Sequence, residues 1–260
     1  MAIFMKSFCF TIDDNVRFFK EITESGADSI FAHPYLHMLQ RLHEKFALKI
    51  QLNLFYRLGK FTLSDFSDRY KSEWQEASDW LKLSFHSELE NVCPYESSDY
   101  DELFCDCKRV NDEILRFAGK DSLAKTTTVH YCQTTREGAA ALFDNGICGL
   151  LGLFGSADNK KTSYSLPESI ATPIRKGEII SYEKISYAAI DAVINTLPRA
   201  EILPTLTTKL NQNSIRVMIH EQYFYKDYKA YQPDFEDKLV TTFEFLVANG
   251  YKPLFFEDMI

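Results

Sequence analysis

The sequence predicts an α/β protein built on a mostly parallel sheet, either closed as a β/α barrel or left open and doubly wound. Short apolar runs alternate with stretches of helical spacing over nearly the whole chain. At 260 residues, 45% hydrophobic, with 21 Phe, 14 Tyr and 2 Trp, the chain can bury a large core without disulfides or a structural metal. Three of the apolar runs end in aspartate or histidine, where both architectures collect their function. A single domain over 1–260 follows from the length.

The elements follow in order. Phe8 to Ile12 reads as a buried strand that stops at Asp13-Asp14-Asn15, and Phe18, Phe19 and Ile22 then take helical spacing up to Gly26. Pro34 suits the first turn of a helix carrying Leu36, Leu39, Leu42 and Phe46. From Leu48 to Phe55, Leu48, Ile50, Leu52 and Leu54 alternate with Lys49, Gln51 and Asn53, the pattern of a half-buried strand. A helix with Phe66, Tyr70 and Trp74 leads to a strand over Leu81 to Phe85 that ends at His86.

A helix over Ser98 to Phe117, a strand over Thr127 to Cys132, a helix over Arg136 to Asn145 closed by Gly146, and a strand over Ile147 to Phe154 continue the alternation. Residues 155–162 read as a polar loop, and 179–197 fit strands or helix equally. Arg199 to Leu210 is predicted helical, and Ile215 to Ile219 a strand ending at His220. Asp234 caps a helix to Asn249, and a last strand covers Tyr251 to Phe256.

The net charge of −8 disfavours nucleic acid, anionic lipid and polyanionic ligands, and favours a neutral or cationic substrate. No apolar run approaches the ~20 residues of a membrane span, and residues 1–20 lack the features of a secretory leader. The expectation is therefore a cytoplasmic protein with reduced cysteines. Cys105 and Cys107 fall two apart in a helical pattern, on different faces, which is poor geometry for a zinc pair.

If His86-Ser87-Glu88-Leu89-Glu90 turns into a helix, His86 and Glu90 share a face, and an aspartate completes three ligands for a divalent ion. Such an ion turns bound water into a nucleophile near neutral pH. Blander readings exist for each residue. Asp13-Asp14-Asn15 also suits a helix N-cap, and a strand-end histidine such as His86 or His220 can serve only as a hydrogen-bonded structural group. His33, His37, His43 and His130 are read as non-catalytic, and Trp74 and Trp80 as packing residues. Tyr223, Phe224 and Tyr225 with Tyr228 and Tyr231 offer either a sugar-stacking wall or packing.

Several short motifs resemble those of the polysaccharide deacetylase family, the NodB-homology carbohydrate esterases. Thr11-Ile12-Asp13-Asp14 resembles its Thr-Phe-Asp-Asp motif and His86-Ser87-Glu88-Leu89-Glu90 its His-Ser/Thr-x-x-His motif. Val217-Met218-Ile219-His220 resembles its late Leu-His motif, and Asn249-Gly250-Tyr251 its Gly-Tyr strand ending. The resemblance implies a distorted barrel of about seven parallel strands and metal-assisted removal of an acetyl group from an N-acetylated sugar or related amide. It makes Asp13 the general base, Asp14 and His86 metal ligands and His220 the general acid. Glu90 stands at the family's second histidine, a carboxylate that shifts preference from Zn²⁺ somewhat toward Mn²⁺ or Mg²⁺, with Co²⁺ also admissible.

Two family elements have no counterpart. Val129 to Gln133 lacks the Arg-x-Pro-Tyr motif, so that Arg136 would have to reach in to orient the catalytic aspartate, and no Asp-x-x-Asp-Trp sequence lies near Leu153-Phe154-Gly155. These gaps motivate a second reading, a degenerate barrel that binds a carbohydrate or protein partner without turnover.

Overall fold

A computed structural model describes residues 6–90, 95–155 and 162–260. Cys93 and most of the 155–162 loop lie outside the described residues. The chain begins with β1 (Ser7–Asn15), α1 (Arg17–Ser25) and α2 (Pro34–Phe46), followed by the hairpin β2 (Ile50–Leu58) and β3 (Phe61–Thr62). Next come α3 (Lys71–Ala77), β4 (Leu81–Leu89), α4 (Tyr100–Phe117), β5 (Thr126–Thr127), α5 (Arg136–Asp144) and β6 (Gly149–Gly152). The remainder is α6 (Glu168–Arg175), β7 (Ile180–Tyr182), β8 (Ile185–Ala189), β9 (Ala192–Val193), α7 (Arg199–Thr207), β10 (Ser214–His220), α8 (Phe235–Ala248) and β11 (Lys252–Pro253).

Local chemistry explains several boundaries. Gly26 ends α1 in the left-handed region at φ 63° and donates its N–H to Ile22. Pro34 opens α2, with the His33 ring accepting from the Tyr35 amide. Asp99 caps α4 through the Glu102 amide, and Thr135 caps α5 through that of Gly138. Other expectations shrink: only Lys71–Ala77 of the helix expected around Phe66 to Trp74 is α-helical, the preceding residues forming short 3₁₀ turns. The last strand keeps just Lys252 and Pro253, and Asp234 precedes α8 without a side-chain cap bond. The ambiguous 179–197 stretch is mainly strand, ending in a 3₁₀ turn over Ile194–Thr196: β7 and β8 form a hairpin turning at Glu183-Lys184, both at positive φ.

The strands form two sheets. In the first, β4, β2, β1, β10 and β9 run parallel side by side, β11 pairs parallel with β1, and β3 is antiparallel to β2. In the second, β5, β6 and β8 are parallel and β7 is antiparallel. The strand ladder is thus split rather than closed into one barrel. At the seam between β4 and β5, contact narrows to a Leu83–Leu123 bridge and side-chain bonds such as that from the Thr127 hydroxyl to the Phe85 carbonyl.

Both faces of β1 are buried along its whole length. Phe8, Phe10 and Ile12 of β1 join the main apolar core beneath the helices, where Phe243 of α8 packs edge-on against Phe10. The opposite face looks across to the second sheet and is largely polar. Gln51 of β2 donates to Thr126 O of β5, and the Thr126 hydroxyl donates back to Gln51 Oε1 at 2.8 Å. A small apolar cluster including Cys9, Leu151, Ala188 and Met218 fills part of the same space. This corrects the half-buried reading of the 48–55 strand: Gln51 and Asn53 face the interior, fully sequestered, rather than solvent. Among the described residues no helix is long and apolar enough to cross a membrane.

Four residues upstream of His220 on β10, Arg216 is fully buried, its guanidinium 2.9 Å from the equally buried Asp191 carboxylate. Removing one partner strands the other charge in the interior. Asp191→Asn is accordingly expected to lower unfolding free energy by on the order of 3 kcal/mol in urea denaturation. A change below about 0.5 kcal/mol would show that the pair contributes no more than a surface contact.

Candidate metal centre

Two backbone irregularities build the site, one on each side of β2. In the β1–β2 register Ile12 pairs with Leu52 and Asn15 with Leu54, so Asp13 and Asp14 together oppose the single residue Asn53. Asp14 takes φ 65°, a left-handed conformation that aspartate tolerates better than most residues. In the β2–β4 register Leu54 pairs with Phe85 and Phe55 with Ser87, which leaves His86 as the extra residue. Bulges of this kind re-aim side chains. Here they bring Asp13, Asp14 and His86 to one cavity of ≈ 380 Å³ at the carboxyl ends of the strands, together with Glu90, His130 and His220.

The innermost group is Asp14, His86 and His130, all buried. His86 Nε2 lies 3.0 Å from Asp14 Oδ1 and 3.1 Å from His130 Nδ1, and His130 Nδ1 lies 3.4 Å from Asp14 Oδ1. For ligands at about 2.0–2.1 Å from an ion, neighbouring donor atoms stand about 3.0 Å apart in an octahedron and about 3.3 Å apart in a tetrahedron. The three separations therefore match one triangular face of a divalent-ion site. His86 Nδ1 donates to the Thr128 carbonyl, which turns Nε2 toward the cluster. Gln222 Nε2 donates to Asp14 Oδ2, leaving Oδ1 for the triad. The donor set fits a Zn²⁺, Mn²⁺ or Co²⁺ ion.

Electrostatics agree with this arrangement. Burial works against the Asp14 carboxylate, but hydrogen bonds from His130 and His86 and the positive charge of His86 and His220 hold it well below the ordinary carboxylate range. Burial also opposes charge on His86, yet the Asp13 and Asp14 carboxylates and the Thr128 carbonyl outweigh it and raise the ring's pKa. His130 is pushed down, chiefly by burial, Asp14 opposing and His86 reinforcing the shift. Asp13 is pushed up by burial, against the pull of His86, His220 and a 2.6 Å hydrogen bond from Asn53 Nδ2.

The structure brings Asp13, Asp14, His86, Glu90 and His220 around one cavity but groups them differently from the sequence reading. The helix expected after His86 is absent. The β4 strand runs on to Leu89, where it still pairs with Arg57, and four strand residues span roughly 13 Å, too far for His86 and Glu90 to share an ion as helical neighbours. Glu90 lines the same cavity, half-buried, and the residue whose donor atom lies beside those of Asp14 and His86 is His130. His130 also follows a strand, but the predicted strand over Thr127 to Cys132 hid this; β5 ends at Thr127, and a turn with Tyr131 and Cys132 at positive φ swings His130 inward. Arg136 pairs with Glu183 and takes no part. Asn53 holds Asp13 instead, and Asn195 Oδ1 sits 2.9 Å from His220 Nδ1. Of the aromatic segment, Tyr223 and Tyr228 line the cavity, whereas Phe224 packs on Tyr35 and Tyr225 is buried.

These features define the class of fold shared with carbohydrate esterases of the polysaccharide deacetylase type. A family 4 acetyl xylan esterase from Clostridium thermocellum, solved with a cobalt ion, superposes with a TM-score of 0.54 at 11% identity, covering 98% of this chain and 90% of that one. A peptidoglycan N-acetylglucosamine deacetylase matches at TM-score 0.50 and 9% identity, covering 98% and 87%. The 4-alpha-glucanotransferase from Thermococcus litoralis matches at TM-score 0.64 and 13% identity, but 98% of this chain covers only 40% of that enzyme. No family model and no curated protein matches the sequence. Because the same fold carries unrelated chemistries, the likeness fixes architecture and the site must carry the functional argument.

Two measurements test the triad. By elemental analysis the wild type is expected to carry one cation per chain, His130→Ala to lose it and Glu90→Gln to keep it; the reverse result for the two variants would restore Glu90 as the ligand. Imidazole ligands bind deprotonated, and His86 holds its proton above the ordinary histidine value of 6.5. Zn²⁺ affinity by chelator competition should therefore climb as pH rises through that raised value and fall below it. A flat profile between about pH 6 and 8 would mean no proton is displaced.

Proposed function

We propose that the protein is a divalent-metal-dependent hydrolase that removes an acetyl group from an N-acetylated sugar or a related amide. The observation that carries this reading is the convergence of Asp14 Oδ1, His86 Nε2 and His130 Nδ1, with Asp13 and His220 on the same cavity. The fold shared with an acetyl xylan esterase and a peptidoglycan deacetylase supports it. Zn²⁺ is the first candidate, with Mn²⁺, Co²⁺ and Mg²⁺ as alternatives. A neutral acetylated carbohydrate suits the acidic cavity and the net charge of −8.

A cation bound by the triad supplies Lewis acidity, polarising an amide carbonyl and making water more acidic. The other roles belong to side chains. Asp13 accepts from Asn53 through Oδ1, which leaves Oδ2 to take the proton of the attacking water, and its raised pKa strengthens it as a base. His220 uses Nδ1 on Asn195, so Nε2 is the nitrogen that delivers a proton to the departing amine. Asn195 orients this ring without adding charge. Tyr223 and Tyr228 line the same cavity, and aromatic rings suit the C–H surface of a pyranose.

Acetate release from N-acetylglucosamine oligomers by the Zn²⁺-, Mn²⁺-, Co²⁺- or Mg²⁺-loaded protein tests the proposal. Asp13→Asn and His220→Ala should each lower the rate by about 10² to 10⁴ while the cation stays bound. Full activity in either variant would remove that residue from the mechanism. A protein that binds no cation, or binds one and turns over no acetylated sugar, would overturn the assignment.

A further inference from the structure

We infer that Glu221, the residue after His220, is a positioning residue that sets the metal triad by clamping the strained turn carrying Asp13 and Asp14. The inference rests on the metal-binding reading above and adds to it a residue that touches neither cation nor substrate.

Helix α1 starts directly after that turn, and its N-cap is Val16, a residue with no side-chain acceptor. The free N–H groups of a first helical turn need partners. All of those offered by Val16, Arg17 and Phe18 go to the Glu221 carboxylate, about 200 residues away in sequence: Oε2 accepts from Val16 at 2.8 Å and Arg17 at 3.1 Å, and Oε1 from Phe18 at 2.9 Å. The Tyr225 hydroxyl donates to Oε1 as well, and Glu221 is 1% exposed. Tyr225 is in turn covered by the Arg17 guanidinium, 3.9 Å from its ring centre.

The consequence falls on Asp14, which holds a positive φ two residues before Val16. Backbone in this region persists only when its surroundings fix it from several sides. Asn15 is tied to Ile12 O and Asn53 O, and its Oδ1 accepts from Tyr35. Glu221 fixes the other flank. The next residue, Gln222, donates to Asp14 Oδ2 itself. Three consecutive residues at the end of β10 thus serve the site in turn: His220 faces the cavity, Glu221 anchors the turn, and Gln222 steadies the ligand. Outer partners of metal ligands typically alter affinity 10- to 100-fold when removed.

The test is Co²⁺ affinity by competition, with the visible d–d spectrum of the bound ion, for wild type, Glu221→Gln, Tyr225→Phe and Asp191→Asn, each confirmed folded by circular dichroism. Glu221→Gln places an amide N–H₂ against backbone N–H donors and is expected to weaken Co²⁺ binding about 10- to 100-fold and to change the spectrum. Tyr225→Phe, which removes one bond to the same carboxylate, should weaken it in the same direction by less. Asp191→Asn lowers global stability far from the triad and should leave affinity and spectrum unchanged. Wild-type affinity in a folded Glu221→Gln overturns the clamp while leaving the metal site standing. If Glu221→Gln does not fold, unchanged affinity in Tyr225→Phe overturns it. Equal losses in Asp191→Asn reduce the effect to general destabilisation and also overturn it. A wild type that binds no Co²⁺, Zn²⁺ or Mn²⁺ defeats the metal reading itself.

Discussion

Everything at the cavity depends on how β1 and β4 fall out of register on either side of β2. An undisturbed parallel ladder alternates side chains between its two faces, so adjacent aspartates would point in opposite directions. The extra residue on β1 lets both Asp13 and Asp14 reach the buried space, and the extra residue on β4 places His86 beside them. The cost is backbone strain at Asp14, which the neighbouring hydrogen bonds contain. The bulges therefore belong to the site as much as its side chains do.

The inward face of the strands supplies the second layer. Asn53 reaches Asp13, and Gln51 bonds both Asn53 and Thr126 in a connected amide and hydroxyl network. A polar network in a dry interior holds its members tightly when each is satisfied. Neutral amides here take the place that the family resemblance gives to an arginine. They orient the carboxylate without adding positive charge, so burial remains free to raise the Asp13 pKa.

The alternation of strands and helices was legible in the sequence, because outward strand faces are continuous apolar runs and helix faces repeat every three to four residues. Asp13, Asp14, His86 and His220 were legible as polar residues at the ends of such runs. The grouping was not. A bulge has no periodic signature, so His86 looked like the start of a turn and Glu90 like its neighbour. His130 was lost because the apolar and β-branched run around it extended the expected strand past the residue where β5 ends. The polar face of β2 read as solvent-facing for a similar reason. Alternation reports that one face differs from the other, not whether water or a second sheet lies beyond it.

The split ladder has a mechanical corollary. Asp14 and His86 stand on strands of one sheet, while His130 follows a strand of the other, and the seam between β4 and β5 has few backbone ties. An ion gripped by all three is then a cross-link across that seam, joining residues 44 apart in the chain. An ion bound there would stabilise the arrangement of the two sheets that holds its three donors together.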